Sequence, residues 1–361
     1  MNTLEKVINK ALSHQKLSFA EIIFLLNLQD STELDMLFEA ARRARQEYFQ
    51  RKIFLYGFLY FSTWCRNNCT FCYFRRANQK SQRYRKSNAE TVEAACQLAE
   101  SGVHLIDLTL GEDPLFYYQE NGFEKLSALV KLVKQKTGFP IMVSPGVVPG
   151  DALTLFQAAG ADWFACYQET HNPELFSRLR LDQSYSARME SKRLAQRAGL
   201  LVEEGIMVGI GESIADITSS VQNMEDLGAQ QIRVMSFVPQ AGTPLAACSM
   251  PSRIRELVVI AVFRLLFPDR LIPASLDIDG VEGLQARLNA GANVITSLIP
   301  PQLGLAGVAQ SCKDINEGYR TVQGVLPILD QMGLRAASLE EYQSFITAEK
   351  EKLRKRQIKA G

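Results

Sequence analysis

From Phe54 onward, short apolar runs alternate with stretches of helical periodicity, a pattern that restricts the chain to a parallel sheet wrapped by helices. The runs that read as strands are 54–61, 104–110, 140–144, 162–169, 201–210, 231–238, 271–277 and 293–299. Helices are expected near 90–100, 123–135, 152–159, 185–198, 214–227, 254–266, 281–288 and 315–332. Ser87, followed three places on by Glu90, predicts a capping box at the first of them. Gly102, Gly160, Gly199, Gly228, Gly291 and Gly333 stand where helices should close before the next strand or segment. Eight strand–helix units predict a complete (β/α)8 barrel of the TIM type over residues 51–335, with any chemistry at the C-terminal ends of its strands. Residues 1–50 form an N-terminal helical extension in three pieces, expected to cap or flank the barrel. Residues 336–361 read as a peripheral helix with a basic, solvated tail.

Charge and cysteine content narrow the function. With 40 basic and 39 acidic residues the net charge is +1, so no global field recruits nucleic acid or an anionic membrane. No apolar run approaches the length of a membrane span, and the opening MNTLEKVINKALSHQ lacks the apolar core of a signal peptide. Seven cysteines is an odd number, and three of them share one short loop. A disulfide framework is therefore not expected, and a reducing cytoplasm is.

Those three are Cys65, Cys69 and Cys72, spaced CxxxCxxC just after the first strand. Soft thiolates select iron–sulfur clusters, zinc or copper(I). Three cysteines on a four-iron cluster leave one iron free to bind a small chelating molecule. Structural zinc ordinarily takes four protein ligands in two separated pairs, and no second pair exists. A non-catalytic zinc-binding barrel is the alternative outside enzymology. His14, His104 and His171 lack metal-ligand spacing and read as structural.

Polar residues crowd the ends of the other strands. Glu112 and Asp113 follow the second strand, Ser144 ends the third, and Tyr167-Gln168-Glu169-Thr170 ends the fourth. Arg233 lies on the sixth; Ser275 and Asp277 share one face of the seventh. An arginine and several carboxylates facing one cavity are costly without partners. A zwitterionic amino acid supplies such partners, as an internal ion-pair network also would.

With Phe71 one place before the last cysteine, CxxxCxFC resembles the signature of the radical S-adenosylmethionine (SAM) enzymes. That resemblance implies a 4Fe–4S cluster on Cys65, Cys69 and Cys72, with SAM on its open iron. It also implies an electron donor such as a ferredoxin or flavodoxin, and a 5′-deoxyadenosyl radical as the reactive species. Leu110-Gly111-Glu112 resembles the family's GGE motif with its first glycine replaced. Residues 205–212 resemble GxIxGxxE, with Met207 in place of Ile. Glu169 and Arg188 are similar to the branch that holds biotin synthase, a hydrogenase maturase and methylornithine synthase. There the glutamate contacts SAM and the arginine holds its methionyl carboxylate. The implied cofactor contacts are thus Phe71, Glu112, Ser144, Glu169, Arg188 and Met207.

Longer strings, among them YGFLYFSTWCRNNCTFCY, DLTLGEDP, IMVSPG, YQET, IRVMSFVPQAGTPL, RLIPASLD and RLNAGANV, resemble the methylornithine synthase family from Tyr56 to Pro301. This implies a small-molecule substrate, L-lysine, isomerised to (2R,3R)-3-methylornithine by hydrogen abstraction, fragmentation and recombination. No protein side chain acts as catalyst beyond the SAM-derived radical. Arg233 and Ser275 would hold the amino-acid head, Asp277 would lie near an ammonium, and Asp113 would bind the distal one. How the two aspartates divide the ammonium groups stays open. The spare cysteines Cys96, Cys166, Cys248 and Cys312 do not read as a second ligand set, which argues against sulfur insertion. A hydrogenase-cofactor maturase or an amino-acid-cleaving enzyme is the alternative within the branch.

Overall fold

The computed structural model describes residues 3–300 and 320–360. Each apolar run yields a strand: β1 Lys52–Ser62, β2 Leu105–Leu110, β3 Ile141–Ser144, β4 Trp163–Ala165, β5 Leu201–Val208, β6 Gln231–Ser236, β7 Pro273–Ser275 and β8 Val294–Leu298. Neighbours pair in parallel in the order β6-β5-β4-β3-β2-β1-β8-β7. The ring is fastened between β6 and β7 by a bridge at Gln231 and Leu271. There Ile232 N–H donates to Leu271 O (3.0 Å) and Leu271 N–H to Gln230 O (3.1 Å). Above that point, among the described residues, β6 and β7 share no ladder.

The covering helices begin and end where local chemistry says they should. Ser87 and Glu90 close the expected capping box around Asn88–Ser101, and all six closing glycines adopt positive φ. The helix expected at 315–332 is Val322–Gln331 among the described residues; Cys312 lies outside them. Short helices at Pro114–Tyr117 and Pro173–Leu179, not expected from periodicity, start at Asp113 and Asn172 caps with proline in the first turn. The N-terminal helices Thr3–Leu12, Phe19–Leu26 and Ser31–Phe49 flank the barrel, burying Leu25, Leu37 and Ala41 beside helix Arg253–Leu266. None of the described helices is long and apolar enough to cross a membrane.

The C-terminal segment departs from the expectation of a peripheral tail. Arg335–Ala336, here β9, pairs with the start of β1 and leads into helix Leu339–Ala360, which closes the N-terminal end of the barrel. Tyr342 is fully buried there among Phe54, Leu105, Met142 and Trp163, with its hydroxyl 2.6 Å from that of Tyr56. Tyr342, Ile346 and Leu353 form a narrow apolar stripe at helical spacing, which the surrounding charge conceals in the sequence.

Candidate active site

A cavity of about 170 Å³ opens within the strand ends. Its wall takes Tyr56 and Phe58 from β1, Asp107 and Thr109 from β2, Ser144 from β3, Met207 from β5, Arg233 from β6 and Thr296 from β8. Phe71 and Cys72 enter from the thiol loop, Tyr167 and Glu169 from the loop after β4, and Asp277 from the loop after β7.

The thiol loop is pressed against the end of β2. A Cβ at Gly111 would lie 2.5 Å from Trp64 O and 2.8 Å from Cys65 Cβ, so this glycine of the degenerate GGE motif permits the approach. Cys69 Sγ accepts from Gln183 Nε2 (3.1 Å) and Arg180 Nη1 (3.5 Å), and Cys65 Sγ from Asn67 N–H (3.5 Å). Burial pushes the Cys65 thiol up to about 11 and the Cys72 thiol in the same direction. Thiols so placed ionise when they gain a cationic partner, which is the behaviour of metal ligands. Among the described residues no three His, Cys, Asp or Glu side chains converge to hold one ion.

Beside the loop lies a set of charged groups with unmet hydrogen-bonding capacity. Glu169 sits at φ +67°, its N–H donating to Gly205 O and its carbonyl accepting from Met207 N–H. Arg180 Nη2 donates to Glu169 Oε1 (2.6 Å); Arg188 Nη2 donates to Gln183 Oε1 (2.8 Å) and Glu112 Oε1 (3.4 Å). Both guanidinium groups also reach the carbonyl of Tyr167. Glu112 further accepts from Arg66 Nε (2.9 Å) and Val147 N–H (3.1 Å) and packs on Gly146, whose φ is +92°. Glu169 Oε2, Arg180 Nε and Arg188 Nε are buried without hydrogen-bond partners among the described residues. Two spare cationic donors and a spare carboxylate oxygen fit a ligand carrying both carboxylate and ammonium, such as the methionyl end of SAM. Burial raises the Glu169 carboxyl above its ordinary range despite the Arg180 charge.

Arg233 and Asp277 bring opposite charges to the same cavity. Arg233 Nε donates to Glu203 Oε1 (2.7 Å) and Nη1 to Thr296 Oγ1 (3.3 Å), with the guanidinium 5.4 Å from the Tyr167 ring centroid. Its Nη2 has no partner among the described residues. Asp277 accepts from Arg320 Nη2 (2.5 Å), Ser297 Oγ (2.6 Å) and Ser275 Oγ (3.2 Å). Burial opposes its ionisation, yet Arg320 and Ser297 hold the carboxyl below its ordinary range. Ser275 thus supports Asp277 and does not line the cavity.

Asp113 is not brought to the cavity, which corrects its assignment to a substrate ammonium. Its fully buried carboxylate accepts from Arg85 Nε (2.8 Å) and Nη2 (2.7 Å), Ser62 Oγ (2.5 Å) and Leu115 N–H (2.9 Å), as the N-cap of the short helix after β2. The acid of the same string that does line the cavity is Asp107, held by Ser144 Oγ (2.8 Å) and pushed up to about 7 by burial. Strand alternation in DLTLGEDP places Asp107 and Thr109 on one face, a signal that sequence reading passed over. Arg180 carried no such signal: exposed Arg178 stands two places away in the same run.

The radical SAM superfamily model matches residues 59–223. Over 95% of this chain, and 97% of theirs, the sequence is 40% identical to a 3-methylornithine synthase of Methanosarcina acetivorans. It is 32% identical over 75% of its length to the [FeFe] hydrogenase maturase subunit HydE of Thermotoga maritima, covering 77% of that protein. A crystal structure of methylornithine synthase (PylB) superposes with a TM-score of 0.89 at 40% identity, covering 94% of this chain and 99% of that one. The fold and the thiol loop are those of a radical SAM enzyme. Within that superfamily, the chain belongs to the 3-methylornithine synthase family.

Proposed function

We propose that this protein is a radical SAM mutase that isomerises L-lysine to (2R,3R)-3-methylornithine. The observation that carries the reading is the near full-length relationship to 3-methylornithine synthases. The charged lining of one strand-end cavity supports it. Cys65, Cys69 and Cys72 would hold a 4Fe–4S cluster; Glu169, Arg180, Arg188 and Glu112, with Phe71, Ser144 and Met207, would hold SAM. The chemistry these groups would supply to the cavity is radical hydrogen abstraction.

Everything else falls to the chain itself. Arg233 pairs with the substrate carboxylate, and Asp107 and Asp277 accept from its ammonium groups. The wall excludes water and keeps fragments of a broken carbon chain oriented toward each other, so that recombination outruns escape.

The test is anaerobic reconstitution with iron and sulfide, then incubation with lysine, SAM and dithionite and mass spectrometry of the products. The expected product has the mass of lysine and the retention of 3-methylornithine. SAM cleavage with unchanged lysine would overturn the substrate, and no SAM cleavage would overturn the chemistry.

A further inference from the structure

Ser236 and Ser275 end β6 and β7, and between the bridge at Gln231 and Leu271 and those ends the described residues form no ladder. Side chains cross the seam there. Glu256, in the first turn of helix Arg253–Leu266, accepts from Ser236 Oγ (2.7 Å) on the β6 side. From the β7 side it accepts Arg287 Nε (2.6 Å) and Nη2 (3.1 Å). Arg287, on helix Leu284–Asn289, also donates from Nη1 to Asp279 Oδ1 (2.5 Å), just past the end of β7. Arg253, half exposed, lies against the second Asp279 oxygen. Ser236, Glu256, Asp279 and Arg287 are all buried. Gly283 makes room for the pair: a Cβ there would overlap both Asp279 Oδ2 and Arg287 Nη1.

Both ends of this network reach the cavity. Ser236 lines it, three residues beyond Arg233 on the same strand, and Asp277 and Ile278 line it immediately before Asp279. A zwitterion that bridges Arg233 and Asp277 needs their separation fixed to a fraction of an ångström. Between other neighbouring strands of the ring, backbone ladders fix such distances. A buried ion-pair network is a costly way merely to hold a fold, because apolar residues of equal volume do that as well. What a forked guanidinium adds, when two of its nitrogens meet one carboxylate, is a defined distance and angle.

We propose that Glu256, Arg287 and Asp279 form a side-chain latch that replaces the missing ladder and sets the span between Arg233 and Asp277. They are positioning residues, and no atom of theirs needs to touch the substrate. The inference rests on the reading of Arg233 and Asp277 as the groups that hold lysine, and adds what determines their spacing.

The experiment uses calorimetry on the reconstituted, SAM-loaded protein with two probes. Lysine can bridge Arg233 and Asp277; cadaverine lacks the carboxylate and cannot. Gly283→Ala forces Asp279 and Arg287 apart without removing a charge, at a φ of −86° that alanine adopts freely. Glu256→Gln keeps the shape and weakens the pair from the other side. In each variant lysine should bind about tenfold more weakly, the scale of one misplaced charge-assisted bond, with cadaverine binding unchanged. Hydrogen exchange should quicken at amides 273–288 and keep the parent rates in β2 and β3. Parent-like lysine binding in both variants would overturn the proposal. So would equal weakening of lysine and cadaverine, or faster exchange throughout the barrel, since either marks a purely structural role. If one variant does not fold, the other decides. A parent that binds no lysine would instead sink the functional reading, and the exchange rates would still decide whether the latch holds the seam.

Discussion

Arg233 is gripped on one edge by Glu203 and Thr296, which leaves the rest of its planar fork for a carboxylate. Arg233→Lys keeps the charge and loses the fork. Steady-state kinetics should show KM for lysine raised about tenfold or more, an effect of the size expected for a charge-assisted bond. Iron content should not change. Asp107 gives a pH signature. Burial holds its carboxyl up at about 7, and the ionised form binds an ammonium far more strongly than the neutral one, because the hydrogen bond is then an ion pair. KM for lysine should therefore fall as pH rises through about 7, and Asp107→Asn should flatten that profile. Cys72, Glu169, Arg233 and Asp277 could be singled out because each lies on or just after a strand in a recognisable string, and all four line the cavity. Asp113 looked equivalent to them; four donors inside the fold occupy it, and donors contributed from distant segments leave no trace beside it in the chain. Arg320, the partner of Asp277, was hidden for the same reason.

The turn after β4 is held from behind the sheet. Expected as a continuous strand over 162–169, it leaves the ladder at Ala165 so that Glu169 can take a left-handed backbone conformation and face the cavity. Alternation sends Glu203 inward to Arg233 and Glu204 outward. There Glu204 accepts from Gln168 N–H (2.8 Å) and Lys192 Nζ, with His171 Nε2 3.6 Å away. Lys192 also donates to Gln168 Oε1 (2.9 Å), so this fully buried pair fixes the residue before Glu169. Lys192→Met strands a buried carboxylate and should cost about 3–5 kcal/mol in denaturant unfolding. Burial alone would raise the Glu204 carboxyl, but Lys192 and His171 hold it down at about 2. Its contribution to stability is accordingly complete above the unfolded value near 4.5 and is lost as pH falls toward 2. At the other end of the barrel, Tyr342→Ala empties a buried aromatic site and should lower stability by about 3–5 kcal/mol in the same assay. No sequence pattern announced either device. The period of a helix says which face is apolar, not which end of a barrel that face will meet.

At the scale of the molecule, repetition made the architecture readable: eight apolar runs separated by capped helices have few ways to bury both faces of every strand. What repetition could not convey is that the ring is uneven. Among the described residues β6 and β7 are fastened at Gln231 and Leu271, beside the stopper that the C-terminal helix forms, and share no ladder above that point. A staved vessel pinned at its base can widen at its rim without breaking a single rung between staves. Admission of a small guest, and departure of its rearranged form, then require side chains to part and no strand pairing to be undone.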